Sequence, residues 1–278
     1  MRAKRLAFYA LLVSAVSVAA PAFAVPMLQA HRAVYDLSLD KASDRSGITG
    51  ITGRMVYEFN GSPCEGYTVN FRFVTQIATS DSTRLSDQQT TTYEDSKGKT
   101  FSFVTKSFVD QNLDKEVKGT AHKKDKGVEV DIDKPEKNTV HLSATQFPTQ
   151  HLVELIDKAE KGETFYETNL FDASEDADKV MTTTVVVGKK TMADKSDPEL
   201  PALAKLGKDK YWPVDIAYFD LSKKDSGEEV PAYRISFKLH ENGLTRDLVM
   251  DYGDFSMTGK LVNLSLFDNA PKKACSNK

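Results

Sequence analysis

The sequence predicts an all-β fold of about 14 antiparallel strands, curled into a barrel-like closed or spiral sheet around one central amphipathic α-helix. Apolar and polar residues alternate with period two in segments that recur at even spacing along most of the chain. Residues 147–162 are different, because their apolar residues recur with a helical period. A sheet of that size must curl or split, and a lone amphipathic helix must cover its apolar face. We therefore expect the helix to plug the curved sheet.

The first 24 residues have the pattern of a cleaved signal peptide. Arg2, Lys4 and Arg5 precede an apolar run over 6–20, and residues 22–24 read Ala-Phe-Ala, as a cleavage site requires. The apolar run is shorter than the roughly 20 residues of a spanning helix, although an uncleaved anchor is the alternative. We predict export and cleavage after Ala24.

The remaining chain, 25–278, is predicted to be a single β-spiral domain, because no Pro/Gly/Ser-rich linker divides it. Loss of the three signal-peptide cations takes the formal charge from −3 to −6. A mildly acidic protein is not expected to bind nucleic acid, since binding to phosphates needs clustered Lys and Arg. No other stretch is apolar enough to span a bilayer, so no integral membrane span is expected after cleavage.

Cys64 and Cys275 are the two cysteines, one near each end of the exported chain. An even number of cysteines in an exported protein usually indicates a disulfide. Closing so long a loop is worth roughly 5 kcal/mol in the chain-entropy model. The alternative is two free thiols. A redox role is not expected, because the two residues are too far apart for a Cys-x-x-Cys motif.

Eight predicted strands precede the helix. The first places Ala33, Tyr35, Leu37 and Leu39 on one face, and the alternate positions in later strands carry many Thr, Ser and Lys residues. Such alternation is typical of a sheet with one solvated face. The predicted strands are 31–39, 51–59, 67–77, 85–94, 99–108, 115–123, 127–133 and 138–143.

Six more predicted strands follow the helix. The Pro-broken segment 196–206 is predicted to be a loop with a short helical turn, and Asn242-Gly243 is typical of a tight hairpin turn. The predicted strands are 163–171, 179–190, 211–219, 233–240, 245–252 and 255–267.

The helix has recognisable ends. Pro148 suits a first helical turn, and Gly162 suits a left-handed cap after the last turn. Leu152, Leu155, Ile156 and Ala159 follow the i, i+3, i+4, i+7 spacing of an apolar face.

The candidate cavity or binding residues lie on and beside this helix. His151 is placed at the edge of the apolar face, where we expect it to point into the cavity and titrate near neutral pH. The candidates are Phe147, His151, Leu152, Leu155 and Ile156.

The sequence contains no strong catalytic or metal-binding motif. No pair among the five histidines has the close spacing that strong zinc sites show. The acidic turn 172–178 suggests calcium but lacks the Gly and the terminal Glu of an EF-hand loop, so a solvated hairpin tip is favoured. A Gly-x-Ser-x-Gly nucleophile elbow is also missing from the sequence. We therefore predict no catalytic residue, metal or cofactor.

Seven aromatic residues lie on the predicted strands with period two. They are expected to form the core around the helix, and the alternative is that some line a groove for an apolar ligand. These residues are Phe71, Phe73, Phe101, Phe103, Tyr233, Phe237 and Phe255.

The chain resembles the cell-envelope integrity protein EipB family of exported Gram-negative proteins along almost all of the region after the signal peptide. The matching segments are 30–35 (Ala-His-Arg-Ala-Val-Tyr), 58–67, 147–151 (Phe-Pro-Thr-Gln-His), 212–214, 231–237, 241–243, 250–255 and Cys275. The resemblance implies a periplasmic β-spiral, an open β-barrel-like sheet of about 14 strands that holds a helix. It also implies a disulfide between the matching cysteines and a role in envelope homeostasis without known enzymatic activity.

The favoured function is that of a non-enzymatic periplasmic protein that supports cell-envelope integrity by binding a protein partner. The alternative is a carrier or chaperone that holds a lipid or a lipoprotein acyl chain in a half-open barrel. A weaker alternative is a hydrolase of an envelope polymer.

Overall fold

The computed structural model describes residues 28–206, 210–222 and 229–268, which contain fifteen strands and one α-helix. The strands before the helix are β1 (His31–Ala42), β2 (Ile48–Ser62), β3 (Gly66–Thr79), β4 (Thr83–Glu94), β5 (Thr100–Val109), β6 (Asn112–Lys124), β7 (Gly127–Lys134) and β8 (Asn138–Leu142). The helix α1 (Pro148–Glu160) is followed by β9 (Phe165–Leu170), β10 (Met181–Val187), β11 (Thr191–Met192), β12 (Lys210–Phe219), β13 (Tyr233–His240), β14 (Thr245–Asp251) and β15 (Phe255–Leu266).

All strands belong to one antiparallel sheet, in the order β8-β7-β6-β5-β4-β3-β2-β1-β15-β14-β13-β12-β10-β9, with β11 beside β12. Pairing of β1 with β15 joins the two halves of the chain. The sheet is open, since β8 and β9 form its ends and do not pair with each other among the described residues. The predicted fold class is confirmed. Strand β11 was not predicted, because two residues are too few to show a period.

The longer strands pack alternate side chains inward, as the period-two pattern requires. In β1, Ala33, Tyr35 and Leu37 are buried, and the Tyr35 hydroxyl donates a hydrogen bond of 2.6 Å to the Thr245 carbonyl. The turn between β13 and β14 contains Gly243 at φ +86°, which confirms the predicted hairpin turn.

The interior contains two hydrophobic clusters. The main cluster joins α1 to the inner faces of β1–β3, β9, β10 and β12–β15. The second cluster lies under β5–β8 and contains Phe147 and Phe171, and the Phe147 ring stacks on Phe101 with ring centroids 5.3 Å apart. Its other buried members are Phe103, Val117, Ala121, Val128, Val130, Ile132, Ala173 and Ala177. Because Phe147 directly precedes α1, the start of the helix connects the two clusters.

The helix ends as predicted. Glu163 N–H donates to the Lys158 carbonyl, and Gly162 N–H donates to the Ala159 carbonyl. With Gly162 at φ +79°, these two bonds form a Schellman cap.

The segment 194–206, which we call the strap, connects β11 to β12 and closes over the interior. It ends in the predicted short helical turn, a 3₁₀ turn at Ala204–Leu206. Leu203 is buried in the main cluster, and Leu200, Ala202 and Leu206 pack against it. The interior of the sheet is thus filled by two elements, the helix and the strap.

The predicted signal peptide and Cys275 lie outside the described residues. Cleavage after Ala24 and pairing of Cys64 with Cys275 therefore stay predictions, and intact mass under non-reducing conditions would test the second. Within the described residues, no helix has both the length and the apolar character to cross a membrane.

Candidate functional site

The helix residues proposed as a binding site are mostly packed in the interior. Phe147, Leu155 and Ile156 have at most 1% of their surface exposed, while Leu152 is partly buried against the main cluster. None of these four, nor His151, lines any of the three cavities described below. Their role in binding stays a prediction.

His151 does not behave as the sequence suggests. Its side chain is 6% exposed, and its Nε2 atom has no hydrogen-bond partner in the described part of the chain. Burial lowers the pKa of His151 to about 4. The expectation of titration near neutral pH was wrong, because the ring is deeper in the core than its position at the edge of the apolar face implied.

The N-terminus of α1 is capped by a carboxylate from β4. Glu94 is 3% exposed and accepts hydrogen bonds from the backbone N–H groups of Thr149 (2.8 Å) and Gln150 (3.1 Å). These are two of the four N–H groups that a helix leaves without a partner at its start. Burial nevertheless raises the pKa of Glu94, and its hydrogen bonds to Thr149 and Gln150 oppose that rise.

Lys123 on β6 completes this contact. Its Nζ donates to the Gln150 side chain and lies 5.0 Å from the centroid of the Phe147 ring. Burial lowers the pKa of Lys123, against the attraction of Glu94 and Asp95. Sequence reasoning missed Glu94 and Lys123, because neither lies near the helix in sequence.

A buried charge cluster anchors the strap. Arg246 on β14 is fully buried, and its Nη1 donates to Glu199 Oε2 (2.7 Å) and Asp197 Oδ2 (2.8 Å). Its Nε donates to His240 Nε2 at 3.0 Å. The other oxygen of Glu199 accepts backbone N–H groups from Asp247 (3.0 Å) and Leu261 (2.7 Å).

Lys238 and Asp247 border this cluster. Lys238 Nζ lies 2.9 Å from carboxylate oxygens of both Asp197 and Asp247. Burial alone would raise the pKa of Asp197, but hydrogen bonds from Lys238, the Glu199 backbone and Arg246 lower it to about 2. Asp247 has φ +52° and lies within an irregularity in the pairing of β13 with β14. The carboxylates of Asp197 and Glu199 bind cationic side chains of the sheet, so the cluster anchors the strap. Arg246 Nη2 is buried but has no hydrogen-bond partner in the described part of the chain.

A shallow trough crosses β2–β5. One cavity of about 410 Å³ and another of about 260 Å³ share Arg72 and Gln89 in their walls. Arg72 donates to both oxygens of Asp87, at 3.1 and 2.8 Å. The rest of the lining mixes polar and apolar side chains, among them Glu58, Asn70, Thr91, Lys106, Val74, Leu85 and Phe108.

A third cavity, of about 510 Å³, lies at the end of the sheet where β9 forms the edge. Its walls are residues 144–146 on one side and residues 167–169 with Thr182 on the other. A parallel bridge joins Gln146 to Leu170 at one end of this cleft. The cleft is therefore bounded by an edge strand that is only partly paired.

Aromatic side chains on the inner face are incompletely covered. Phe71 and Phe73 on β3 stack with centroids 6.0 Å apart and are partly exposed. In the second half of the chain, the Tyr233 ring centroid lies 5.5 Å from that of Tyr218 and 4.9 Å from that of Tyr252. The predicted aromatic core is thus only partly closed, and an apolar inner surface remains accessible.

The acidic turn 172–178 packs onto the second cluster. Ala173 and Ala177, both at positive φ, are buried there, and Lys115 on β6 binds Asp176 at 2.6 Å. The expected solvated hairpin tip is therefore only partly solvated. No group of three or more His, Cys, Asp or Glu in the described residues is arranged to hold a metal ion.

Comparisons with known proteins agree with this architecture. A family model described as EipB-like matches residues 22–268. The protein named cell envelope integrity protein EipB from Brucella abortus (strain 2308) is 56% identical over 260 residues, covering 93% of this chain and 91% of the relative. A crystal structure of a beta-barrel-like protein with a domain of unknown function, from Brucella abortus, superposes with a TM-score of 0.84 and 58% identity. It covers 87% of this chain and 99% of its own.

Proposed function

Since the chain belongs to the EipB-like family, we propose that it is a non-enzymatic periplasmic protein that maintains the cell envelope by binding a protein partner. The observation that carries the proposal is 56% identity, along 93% of the chain, to a relative named for cell envelope integrity. In this proposal residues 1–24 are a cleaved signal peptide, and residues 25–278 act as one β-spiral domain.

The open sheet supports a binding role. A closed barrel satisfies the backbone hydrogen bonds of every strand, whereas an open sheet leaves edges at which another chain can pair. Here β8 and β9 are such edges, and β9 adjoins a cleft of about 510 Å³. Known peptide-binding domains use the same feature, an edge strand beside a cavity for side chains.

Genetics in the source bacterium would test the envelope role. Deletion of the gene should increase sensitivity to detergent and to chelators of divalent cations, and expression of the exported protein should restore resistance. A version that lacks residues 1–24 should not restore resistance, because it stays out of the periplasm. Unchanged sensitivity after deletion would contradict the proposal.

Cross-linking in the periplasm would test the binding role. Purification of the cross-linked protein should enrich a defined protein partner, identified by mass spectrometry, relative to a purification without cross-linker. If no protein is enriched while a lipid copurifies in stoichiometric amount, the partner proposal fails.

The second candidate is a carrier of a lipid or acyl chain, and the inner aromatic surface favours it. Phe71, Phe73, Tyr218 and Tyr233 face the interior and are partly exposed, as the lining of a half-open apolar groove would be. The same copurification experiment separates the two functions, since a carrier should retain lipid through purification.

A further inference from the structure

We propose that the free edge of β9 binds an extended segment of the protein partner, one that carries a basic and an apolar side chain two residues apart. The proposal rests on the proposed partner-binding function and adds where, and by which chemistry, the partner docks.

The hydrogen bonds of β9 show which of its backbone groups are free. Val187 N–H donates to the Thr164 carbonyl, so every second residue from Thr164 onward turns its backbone groups toward β10. The intervening residues, Phe165, Glu167 and Asn169, turn theirs to the open side. There the Asn169 carbonyl accepts the N–H of Gln146, and no other backbone bond to these three residues is made within the described chain. An incoming strand thus meets a row of free donors and acceptors.

The chain itself shows that this edge accepts a strand. Gln146 pairs with Leu170 in a parallel bridge, with Gln146 N–H bonded to Asn169 and Phe171 N–H bonded to Gln146, both at 2.9 Å. Before Gln146 the chain diverges from β9, and the gap between the two segments is the cleft of about 510 Å³. This volume lies within the range of roughly 300–1,000 Å³ typical of ligand sites.

The side chains beside the edge define the chemistry of the segment. Phe165 is 59% exposed and lies opposite Val186, which is 48% exposed, so the two form an apolar pair on the solvent face. Glu167 is exposed on the same face, two residues further on, and forms no ion pair within the described residues. Residues i and i+2 of an added strand lie next to this pair and this carboxylate. An apolar residue and a Lys or Arg at those positions match them.

A second copy of this chain is a poorer occupant. Antiparallel self-pairing that keeps outward residues opposite outward residues would place Glu167 opposite another Glu167, Phe165 opposite its own copy, or each Phe165 opposite a Glu167, and none of these registers pairs Glu167 with a cation. Like charges directly opposite each other destabilise a pair of strands. The edge therefore favours a partner of different sequence.

A short synthetic peptide tests the chemistry on the full chain. The probe is Thr-Val-Thr-Lys-Thr-Val, which places Val and Lys on one face, and its control has Glu in place of Lys. We expect the Lys peptide to slow hydrogen exchange at the Glu167 and Asn169 amides and to bind at least tenfold more tightly than the Glu peptide. Equal binding of the two peptides would overturn the assignment.

Two substitutions test the site. Glu167→Pro removes an N–H that faces the open edge, a position where proline is tolerated, and Glu167→Lys reverses the charge. Both variants should keep the wild-type melting temperature within a few degrees, as proteins that retain the β9–β10 pairing would, and both should lose at least tenfold in affinity for the Lys peptide. Val262→Lys, on the exposed face of β15, is the matched control and should bind normally. Undiminished binding by folded Glu167→Pro would contradict the proposal.

The periplasmic partner separates this inference from the proposed function. If wild-type protein captures a partner and Glu167→Pro does not, both stand. If the two proteins capture the partner equally, the β9 site is wrong and the partner-binding function stands. If the wild-type protein captures no partner, the proposed function fails.

Discussion

The helix α1 and the strap fill the same interior, but the helix is held mainly by apolar packing and the strap mainly by buried ion pairs. The helix contributes Leu155, Ile156 and Ala159 to the main cluster, and a carboxylate caps its backbone. The strap contributes Leu203, and its carboxylates are neutralised by a buried guanidinium. A regular element satisfies most of its own backbone groups, so the helix needs partners only at its ends. An irregular segment needs partners from the sheet along its length.

The difference appears in the pKa values of the buried groups. Around α1, burial dominates, raising the pKa of Glu94 and lowering that of His151 to about 4, so burial disfavours the charged form of each group. In the strap, cationic and backbone donors outweigh burial and lower the pKa of Asp197 to about 2. We therefore expect the helix region to respond to mild acid and the strap to retain its ion pairs.

The largest expected effect comes from breaking the anchor of the strap. Arg246→Met leaves Glu199 and Asp197 buried without their guanidinium partner, so we expect a loss of about 3–5 kcal/mol in the free energy of unfolding. Urea unfolding followed by circular dichroism measures it.

A matched variant gives the scale for an exposed ion pair. Arg234 lies 3.4 Å from Asp215 with over half of its side chain exposed, and Arg234→Met should lower the free energy of unfolding by less than about 1 kcal/mol. If the two variants lose similar stability, the strap is not anchored by charge in the way the contacts indicate.

The second effect is acid sensitivity centred on His151. The folded-state pKa of His151, about 4, lies below the ordinary value of 6.5. The contribution of His151 to the free energy of unfolding is therefore complete above pH 6.5 and is lost as the pH falls toward 4. The wild-type protein should lose about 3 kcal/mol from this group across that range. His151→Leu should remove that part of the pH dependence, as urea unfolding at a series of pH values would show.

Two other histidines define what the acid experiment should show. His31, whose pKa is also lowered by burial, keeps its own contribution in the His151→Leu variant, so some pH dependence remains. His141→Leu changes an exposed ring and should leave the wild-type profile intact. A His151→Leu profile as steep as that of the wild-type protein would rule out His151 as the acid-sensitive group.

The third effect tests the carboxylate cap. Glu94→Ala leaves the N–H groups of Thr149 and Gln150 without their acceptor, and we expect it to lower the free energy of unfolding by about 1–2 kcal/mol. Glu94→Gln keeps one acceptor oxygen and should lose less. The order of the two variants in urea unfolding decides the matter, and an equal loss would mean that packing, not capping, is what Glu94 supplies.

The contrast between local features and contacts distant in sequence explains what could be predicted from the sequence. The helix was predicted within two residues at each end, because its period and its Gly162 cap are local features. The hairpin at Gly243 was predicted for the same reason. The helical period over these thirteen residues shows which face is apolar. It does not show how deeply each side chain is buried, which is why the burial of His151 was missed.

The anchors could not be predicted, because they join residues far apart in the chain. Glu94 is 55 residues from Thr149, and Glu199 is 47 residues from Arg246. No spacing rule selects these carboxylates from 40 acidic residues. The β9 edge was hidden in the same way, since a strand that ends a sheet has the same alternation as a strand within it.

The smallest effect tests the local end of the helix. Gly162 has φ +79°, and a Cβ added there would meet no atom within 4 Å, so Gly162→Ala has only a backbone cost of about 1 kcal/mol in the free energy of unfolding. Gly47, at φ +64° and equally open, ends the 3₁₀ turn between β1 and β2 and offers a matched control. Because the cost lies in the residue and not in its neighbours, Gly47→Ala should lose a similar amount in urea unfolding. A much larger loss at Gly162 would show that the cap also positions the chain entering β9, and would extend the helix's non-local anchoring to its C-terminal end.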